Sequence, residues 1–207
     1  NGQRQSVTAN AVLLATGRKP NTDDLNLTAE GIQTDKRGYI QVDNQLKTNV
    51  PHIWAIGDCN GGPQFTYISL DDFRIIRNQL SGKDRYTSLN DRPPFPTCVF
   101  VTPPMAQAGL REREAREQGY DIKVFKIPAS SIPKAAILNE RRGLLKAVVD
   151  AKTDRILGCT LCCAEAHEII NTVQLAIHAG VTYHALANMI FTHPSMTEAL
   201  NDLFTSG

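Results

Sequence analysis

The sequence predicts an α+β domain, an antiparallel sheet with helices, over residues 91–207, preceded by a shorter α/β portion. Three observations carry this. Short apolar runs closed by glycine occur in the first sixty residues, as in strands buried on both faces of a parallel sheet. A proline-rich stretch, Pro93-Pro94-Phe95-Pro96, then interrupts the pattern. Beyond it, strand-like runs follow one another through short turns and the long helical runs come after them, which favours antiparallel pairing.

Taken in order, Val12-Leu13-Leu14 lies in a run that stops at Thr16-Gly17, and Ile53-Trp54-Ala55-Ile56 stops at Gly57-Asp58. Both are expected as strands of a buried parallel sheet. Between them, Asp35-Lys36-Arg37-Gly38 separates two extended runs and reads as a hairpin turn. Residues 70–80 place Phe73, Ile75, Ile76 and Leu80 at helical spacing, and Gly82 ends that helix. Residues 88–96 read as an extended linker and set the domain boundary. A strand around 98–101 and a charged helix over 110–118 come next. Strands are expected at 122–127, 144–149 and 156–161, the last two joined by the polar turn Asp150-Ala151-Lys152-Thr153-Asp154. The helix over 166–179 carries Ile169, Ile170, Val173, Ala176 and Ile177 on one broad face and stops at Gly180. Thr182 is expected to cap a short helix through Asn188, and a final helix runs from near Ser195 to Phe204.

The 207 residues suffice for one large or two modest domains, and 42% apolar with 21% charged residues is an ordinary globular balance. A net charge of +1 supplies no basic stripe for nucleic acid and no polybasic segment for anionic lipid. No apolar run approaches the roughly 18 residues of a membrane span. Five cysteines, an odd number, argue against a secreted disulfide scaffold and for a cytoplasmic setting. The opening Asn1-Gly2-Gln3-Arg4 has neither a Met nor a signal peptide, so a fragment is expected.

Two places invite chemistry. Gly57-Asp58 follows an apolar strand candidate, where open α/β sheets bind ligands. An Asp there can accept hydrogen bonds from sugar or polyol hydroxyls while the Gly lets backbone approach closely. A turn or capping Asp is the alternative. The second place is His193-Pro194-Ser195-Met196-Thr197-Glu198. Histidine suits proton transfer near neutrality, and a carboxylate on the other ring nitrogen would fix its tautomer. Ser195-x-x-Glu198 is equally a capping box, and one carboxylate serves both roles only by touching ring and backbone together. His52, His167, His178 and His184 read as structural or surface residues, with no metal site. Cys159-x-x-Cys162 and Cys163 lie at a strand end, where positions 159 and 162 face opposite ways, and read as small buried hydrophobes.

Ala15-Thr16-Gly17-Arg18-Lys19-Pro20-Asn21, then Ile53-Trp54-Ala55-Ile56-Gly57-Asp58, then His193-Pro194-Ser195-x-x-Glu198 resemble three signatures of the flavin disulfide reductases, in the order in which that family carries them. The family includes dihydrolipoamide dehydrogenase, glutathione reductase and mercuric reductase. The resemblance implies an FAD enzyme using NAD(P)H and a redox disulfide that lies outside this chain, acting on a disulfide, small-molecule oxidant or metal ion. It implies that residues 1–20 end an NAD(P)-binding domain, 21–90 complete an FAD-binding domain and 91–207 form a dimerisation domain. Asp58 would hold the ribityl hydroxyls, with Gly57 beside it. Thr66 would stand where the backbone closes over the flavin side, and Gly17 at the join of the two nucleotide domains. His193, oriented by Glu198, would act as acid and base across a homodimer interface. Residues 62–74 depart from the dihydrolipoamide dehydrogenase pattern and look more like reductases that detoxify reactive chlorine species or hypothiocyanous acid. No cysteine occurs in residues 203–207, unlike the mercuric reductases. A non-catalytic dimerisation module is the alternative.

Overall fold

A computed structural model describes residues 4–206 and divides the chain into two compact units, residues 1–92 and 93–207. In the first unit, α1 (Thr66–Leu80) is the main regular element. Its buried face carries Ile68, Asp71, Asp72, Ile75 and Asn78. It ends where Gly82 turns left-handed (φ +66°), so that Gly82 N–H reaches Gln79 O and Lys83 N–H reaches Asn78 O. Those paired bonds satisfy carbonyls that the end of the helix would otherwise leave open.

The remainder of this unit is turns and isolated bridges, which corrects the expectation of a buried parallel sheet. Val12, Leu13 and Leu14 are 79%, 91% and 82% exposed and lie outside any ladder. Residues 53–56 form no parallel strand. Trp54 instead makes one antiparallel bridge to Lys47, and Ala55 N–H donates to Leu46 O. A parallel strand needs a parallel hydrogen-bonded neighbour, and the described residues supply no parallel partner to either run. The expected hairpin forms as a short one: Thr34 bridges Ile40, Asp35 N–H donates to Tyr39 O at 2.8 Å and Gln41 N–H to Gln33 O at 3.0 Å, with the Asp35 carboxylate accepting the Arg37 and Tyr39 amides. The stretch 88–96 is not wholly extended, because Leu89–Asp91 forms a short turn capped by Ser88 and Asp91.

The second unit is the antiparallel sheet with helices. Its strands are β1 (Thr97–Val99), β2 (Met105–Gly109), β3 (Ile122–Pro128), β4 (Leu144–Asp150) and β5 (Ile156–Cys162), in spatial order β1-β2-β5-β4-β3. The strand β2 was not expected from the sequence. It pairs Ala106 with Leu161 and Ala108 with Cys159. Helices α2 (Glu112–Glu117) and α3 (Pro133–Ile137) are short; α3, started by a proline at its first position, was also unexpected. The other helices are α4 (Ala166–Ala179), α5 (Tyr183–Ala187) and α6 (Ala199–Thr205). Thr182 occupies the N-cap of α5 but makes no side-chain capping bond.

Alternation along the strands explains which face is covered. Leu145, Ala147 and Val149 of β4 point to the helices, as do Cys159 and Leu161 of β5, and all five are at most 1% exposed. They meet Ile169, Ile170 and Val173 of α4 and Leu200, Leu203 and Phe204 of α6 in one continuous core. Each such large side chain contributes about 1.5–3 kcal/mol on burial. Beneath α4 the β2 residues are Ala106 and Ala108, small enough for the helix to pack closely. No helix among the described residues is long and apolar enough to cross a membrane.

Candidate functional site

Each unit carries its own cluster of candidate residues. In the first, Ile56 is extended and leads into a single tight turn, Gly57–Asn60. Gly57 has φ +69°, and a Cβ there would lie 2.7 Å from Ser69 Oγ, so only glycine lets the turn rest on α1. Gly57 N–H donates to Asp72 Oδ2 at 2.8 Å, and Asn60 Nδ2 donates to Ala55 O at 3.2 Å and to Asp72 Oδ2 at 3.4 Å. Asp58 projects from this turn with its side chain 54% exposed and Arg18 Nη1 at 3.4 Å. An ion pair so exposed contributes little to stability, and it leaves carboxylate oxygen available to hydroxyl donors. Thr66 is the first residue of α1 and is exposed. Gly17, at φ +118°, is also exposed, with nothing within 4 Å of where a side chain would begin.

Under the turn lies a set of residues that sequence reading missed. Asp72 is 2% exposed and Asp71 9%. Arg92 Nε donates to Asp71 Oδ2 at 2.6 Å, and its Nη2 makes a short contact with Asp72 Oδ1. Tyr86 OH donates to Asp71 Oδ1 at 2.7 Å. Burial, reinforced by that bond, pushes the Tyr86 phenol up to about 12. Burial alone would lower the pKa of Arg92, but its bonds to Asp72 and Asp71 outweigh it and raise the value. The available signal was an acid in an apolar stripe: Asp72 falls between Ile68 and Ile75 at i, i+4, i+7.

In the second unit, His193 stands on a bend ahead of α6, its side chain 69% exposed. Its Nδ1 lies 2.8 Å from Glu198 Oε2. The other Glu198 oxygen, Oε1, accepts Ser195 N–H at 3.2 Å, while Ser195 Oγ accepts Glu198 N–H at 3.2 Å. Ring orientation and the reciprocal Ser195–Glu198 bonds of a capping box therefore coexist, one carboxylate oxygen serving each, in the turn just ahead of α6. Glu198, itself the N-cap of α6, makes no further side-chain capping bond and is held at 17% exposure. Ser195 Oγ also donates to Thr192 O at 2.7 Å. Asn201, another residue missed in sequence, donates from Nδ2 to Leu186, Ala187 and Met189 carbonyls and so fastens the loop that leads to His193. A carboxylate at 2.8 Å from Nδ1 favours the tautomer with its proton there, which leaves the lone pair on Nε2 as the proton acceptor.

Cys59 lies within the Gly57–Asn60 turn, where its Sγ donates to Ile56 O at 3.3 Å, while the histidines and cysteines described next join neither cluster. His184 Nε2 lies 3.3 Å from Asp154 Oδ2, and His167 packs on the Phe100 ring at 5.4 Å between centroids. Cys159 and Cys163 are buried and free, and Cys162 is half-buried and free. Burial raises the Cys159 thiol and pushes Cys163 up to about 12, which keeps both protonated and unreactive. Among the described residues no three His, Cys, Asp or Glu side chains gather as a metal site.

Residues 95–204 match the family described as "Pyridine nucleotide-disulphide oxidoreductase, dimerisation domain", and residues 1–72 match "Pyridine nucleotide-disulphide oxidoreductase". Escherichia coli (strain K12) has a relative, "Probable pyridine nucleotide-disulfide oxidoreductase RclA", that is 48% identical over 98% of this chain and 46% of its own length. A mercuric reductase of Staphylococcus aureus is 36% identical over 97% of this chain and 36% of its own. The solved structure of the "HOCl-induced flavoprotein disulfide reductase RclA from Escherichia coli" superposes with a TM-score of 0.89 at 49% identity, covering 92% of this chain and 44% of that one. The chain thus spans less than half the length of these relatives.

Proposed function

The chain belongs to the pyridine nucleotide-disulphide oxidoreductases, and we propose that it works as the carboxy-terminal part of an FAD-dependent, NAD(P)H-using homodimeric reductase. In this reading residues 1–20 end the nucleotide domain, 21–90 complete the FAD domain and 91–207 dimerise. The observation that carries it is the His193–Glu198 pair, 2.8 Å apart, with the second carboxylate oxygen fixed on backbone.

The residues present fit the group that the family implies. Asp58 offers carboxylate oxygen to polyol hydroxyls from a turn whose glycine admits close backbone approach, and it would hold the ribityl chain with Gly57 beside it. Thr66 and Gly17 are assigned to the flavin side and the nucleotide junction. FAD, when bound, supplies acceptance of hydride from the nicotinamide and delivery of electrons to a disulfide. His193 then takes and returns protons at Nε2, at thiols contributed by the partner chain. Glu198 holds the ring's tautomer through Nδ1 and offsets the imidazolium charge. This arrangement serves any substrate reduced at thiols, whether a disulfide, an oxidant or a metal ion.

Similarity to the HOCl-induced reductase favours an oxidant of the reactive-chlorine type within that class. The test is the full-length reductase. Flavin absorbance bands, bleaching by NADH or NADPH, and turnover with a disulfide or chlorine-derived oxidant are expected. A colourless dimer with no nicotinamide oxidation would leave only a dimerisation module.

A further inference from the structure

Asp72 is a buried acid whose presence the apolar core of its unit does not explain. It shares a helical stripe with Ile68 and Ile75, 3% and 0% exposed, where a third aliphatic side chain would satisfy the packing. A buried carboxylate without partners would be costly, so its partners show what it is for. One oxygen takes Gly57 N–H and Asn60 Nδ2; the other takes Arg92. The two oxygens thus bracket the Asp58 turn on one side and a guanidinium, itself 11% exposed, on the other. Gly57 has no side chain with which to anchor itself and sits at positive φ, so its backbone N–H is the handle at the Asp58 side of the turn, while Ile40 N–H holds Cys59 O at 2.9 Å on the far side. The neighbouring Asp71 holds Arg92 and Tyr86 and makes no bond to the turn.

We propose that Asp72 is the positioning residue for Asp58: by gripping Gly57 N–H from beneath while Arg92 clamps its other oxygen, it sets where the Asp58 carboxylate meets the ribityl hydroxyls of FAD. The inference rests on the FAD reading above. A hydrogen bond from a buried amide to a charged acceptor is among the stronger kinds, and its loss frees a turn that must otherwise be ordered when the ligand binds.

The experiment uses the full-length reductase with Asp58→Ala, Asp72→Ala, Asp72→Asn and, as a destabilised control away from the turn, Ile75→Ala. FAD affinity, the flavin absorbance spectrum, Tm and hydrogen exchange at the Gly57 amide are read for each. Asp58→Ala and Asp72→Ala are expected to weaken FAD binding about tenfold or more. Asp72→Asn keeps an acceptor for Gly57 N–H but turns its amide NH2 towards the Arg92 guanidinium, so it is expected to recover only part of the loss. Ile75→Ala should lower Tm comparably and change FAD affinity less than about threefold, and only Asp72→Ala should speed exchange at Gly57. If Asp72→Ala weakens FAD no more than Ile75→Ala while Asp58→Ala does weaken it, the positioning role is wrong and the FAD reading stands. If Asp58→Ala changes nothing, the FAD reading falls and this inference with it. Should Asp72→Ala not fold, exchange in the unaltered protein decides: a slow Gly57 amide supports the grip, and one as fast as an open loop overturns it.

Discussion

The Asp58 turn and the His193 loop both present a side chain just ahead of a helix, yet they are held by opposite means. Asp58 is fixed from below by residues far along the chain, with Gly57 tied to Asp72 and Asp72 to Arg92. His193 is fixed by its near neighbours, through Glu198 five residues on and a capping box between. The first device is buried and ionic; the second lies at the surface. The difference matches the two tasks proposed. A group that positions a ligand gains from a rigid seat, whereas a base must keep one ring nitrogen open while the other is oriented.

The largest effect that tests this contrast is kinetic. His193→Ala in the full-length reductase should slow reoxidation through the thiols by about 100- to 10,000-fold, the usual worth of a general acid–base group. Flavin reduction by the nicotinamide should stay nearly intact, because hydride transfer asks no proton of this position. Stopped-flow spectra separate the two half-reactions, and equal slowing of both would remove the acid–base role.

Next comes stability at the buried seat. Arg92→Ala leaves Asp71 and Asp72 without their guanidinium, and breaking a buried pair in this way costs about 3–5 kcal/mol. Urea unfolding should show a loss of that order. A loss below about 1 kcal/mol would mean that the cluster behaves like an exposed pair.

The same contrast decides what was legible in sequence. His193 and Glu198 are five residues apart, so their pairing could be read, and so could the capping box that competes for Glu198. The contacts that each reading needs are both present, His193 Nδ1 on one carboxylate oxygen and Ser195 N–H on the other. The Asp72–Gly57 and Asp72–Arg92 bonds join residues 15 and 20 apart, and no local pattern announces them. The same holds for strands. Leu144–Asp150 and Ile156–Cys162 alternate and sit beside a polar turn, so both were foreseen. Met105–Gly109 was not, because its Ala106 and Ala108 are poor strand formers, chosen for the room they leave under α4. Val12-Leu13-Leu14 has a strand's composition and no described strand to pair with, so composition misled.

A smaller effect sharpens the two-role reading of Glu198. Glu198→Ala should cost about 1 kcal/mol, since it removes the acceptor for Ser195 N–H from the turn that starts α6. It should also slow thiol reoxidation, but less than His193→Ala does, because water can partly replace the orienting carboxylate. Glu198→Gln should recover more of the stability than of the rate: the amide oxygen still accepts from Ser195, while the negative charge facing His193 is gone. Equal recovery of both would mean that the charge has no part in orienting the ring.

The smallest effect belongs to the surface counterpart of the buried cluster. Glu112 accepts from Lys146 at 2.5 Å and from Arg116 at 3.0 Å, on the sheet face away from the main core. The bond to Lys146 first, and that to Arg116 second, hold its carboxyl down at about 2, below the ordinary 4.5. A folded-state pKa below the unfolded one means that folding favours the ionised form, so the stabilisation is complete above about pH 4.5 and fades as pH falls towards 2. Glu112→Gln should therefore lower Tm slightly near neutral pH, with the gap to the unaltered protein closing between about pH 4.5 and 2. Because the pair lies at the surface, added salt should narrow the gap at neutral pH, whereas Arg92→Ala should keep most of its penalty in salt. Paired melts at several pH values and two salt concentrations read both. A Glu112→Gln gap that persists unchanged down to pH 2.5 would assign the difference to packing of the side chain and not to its charge.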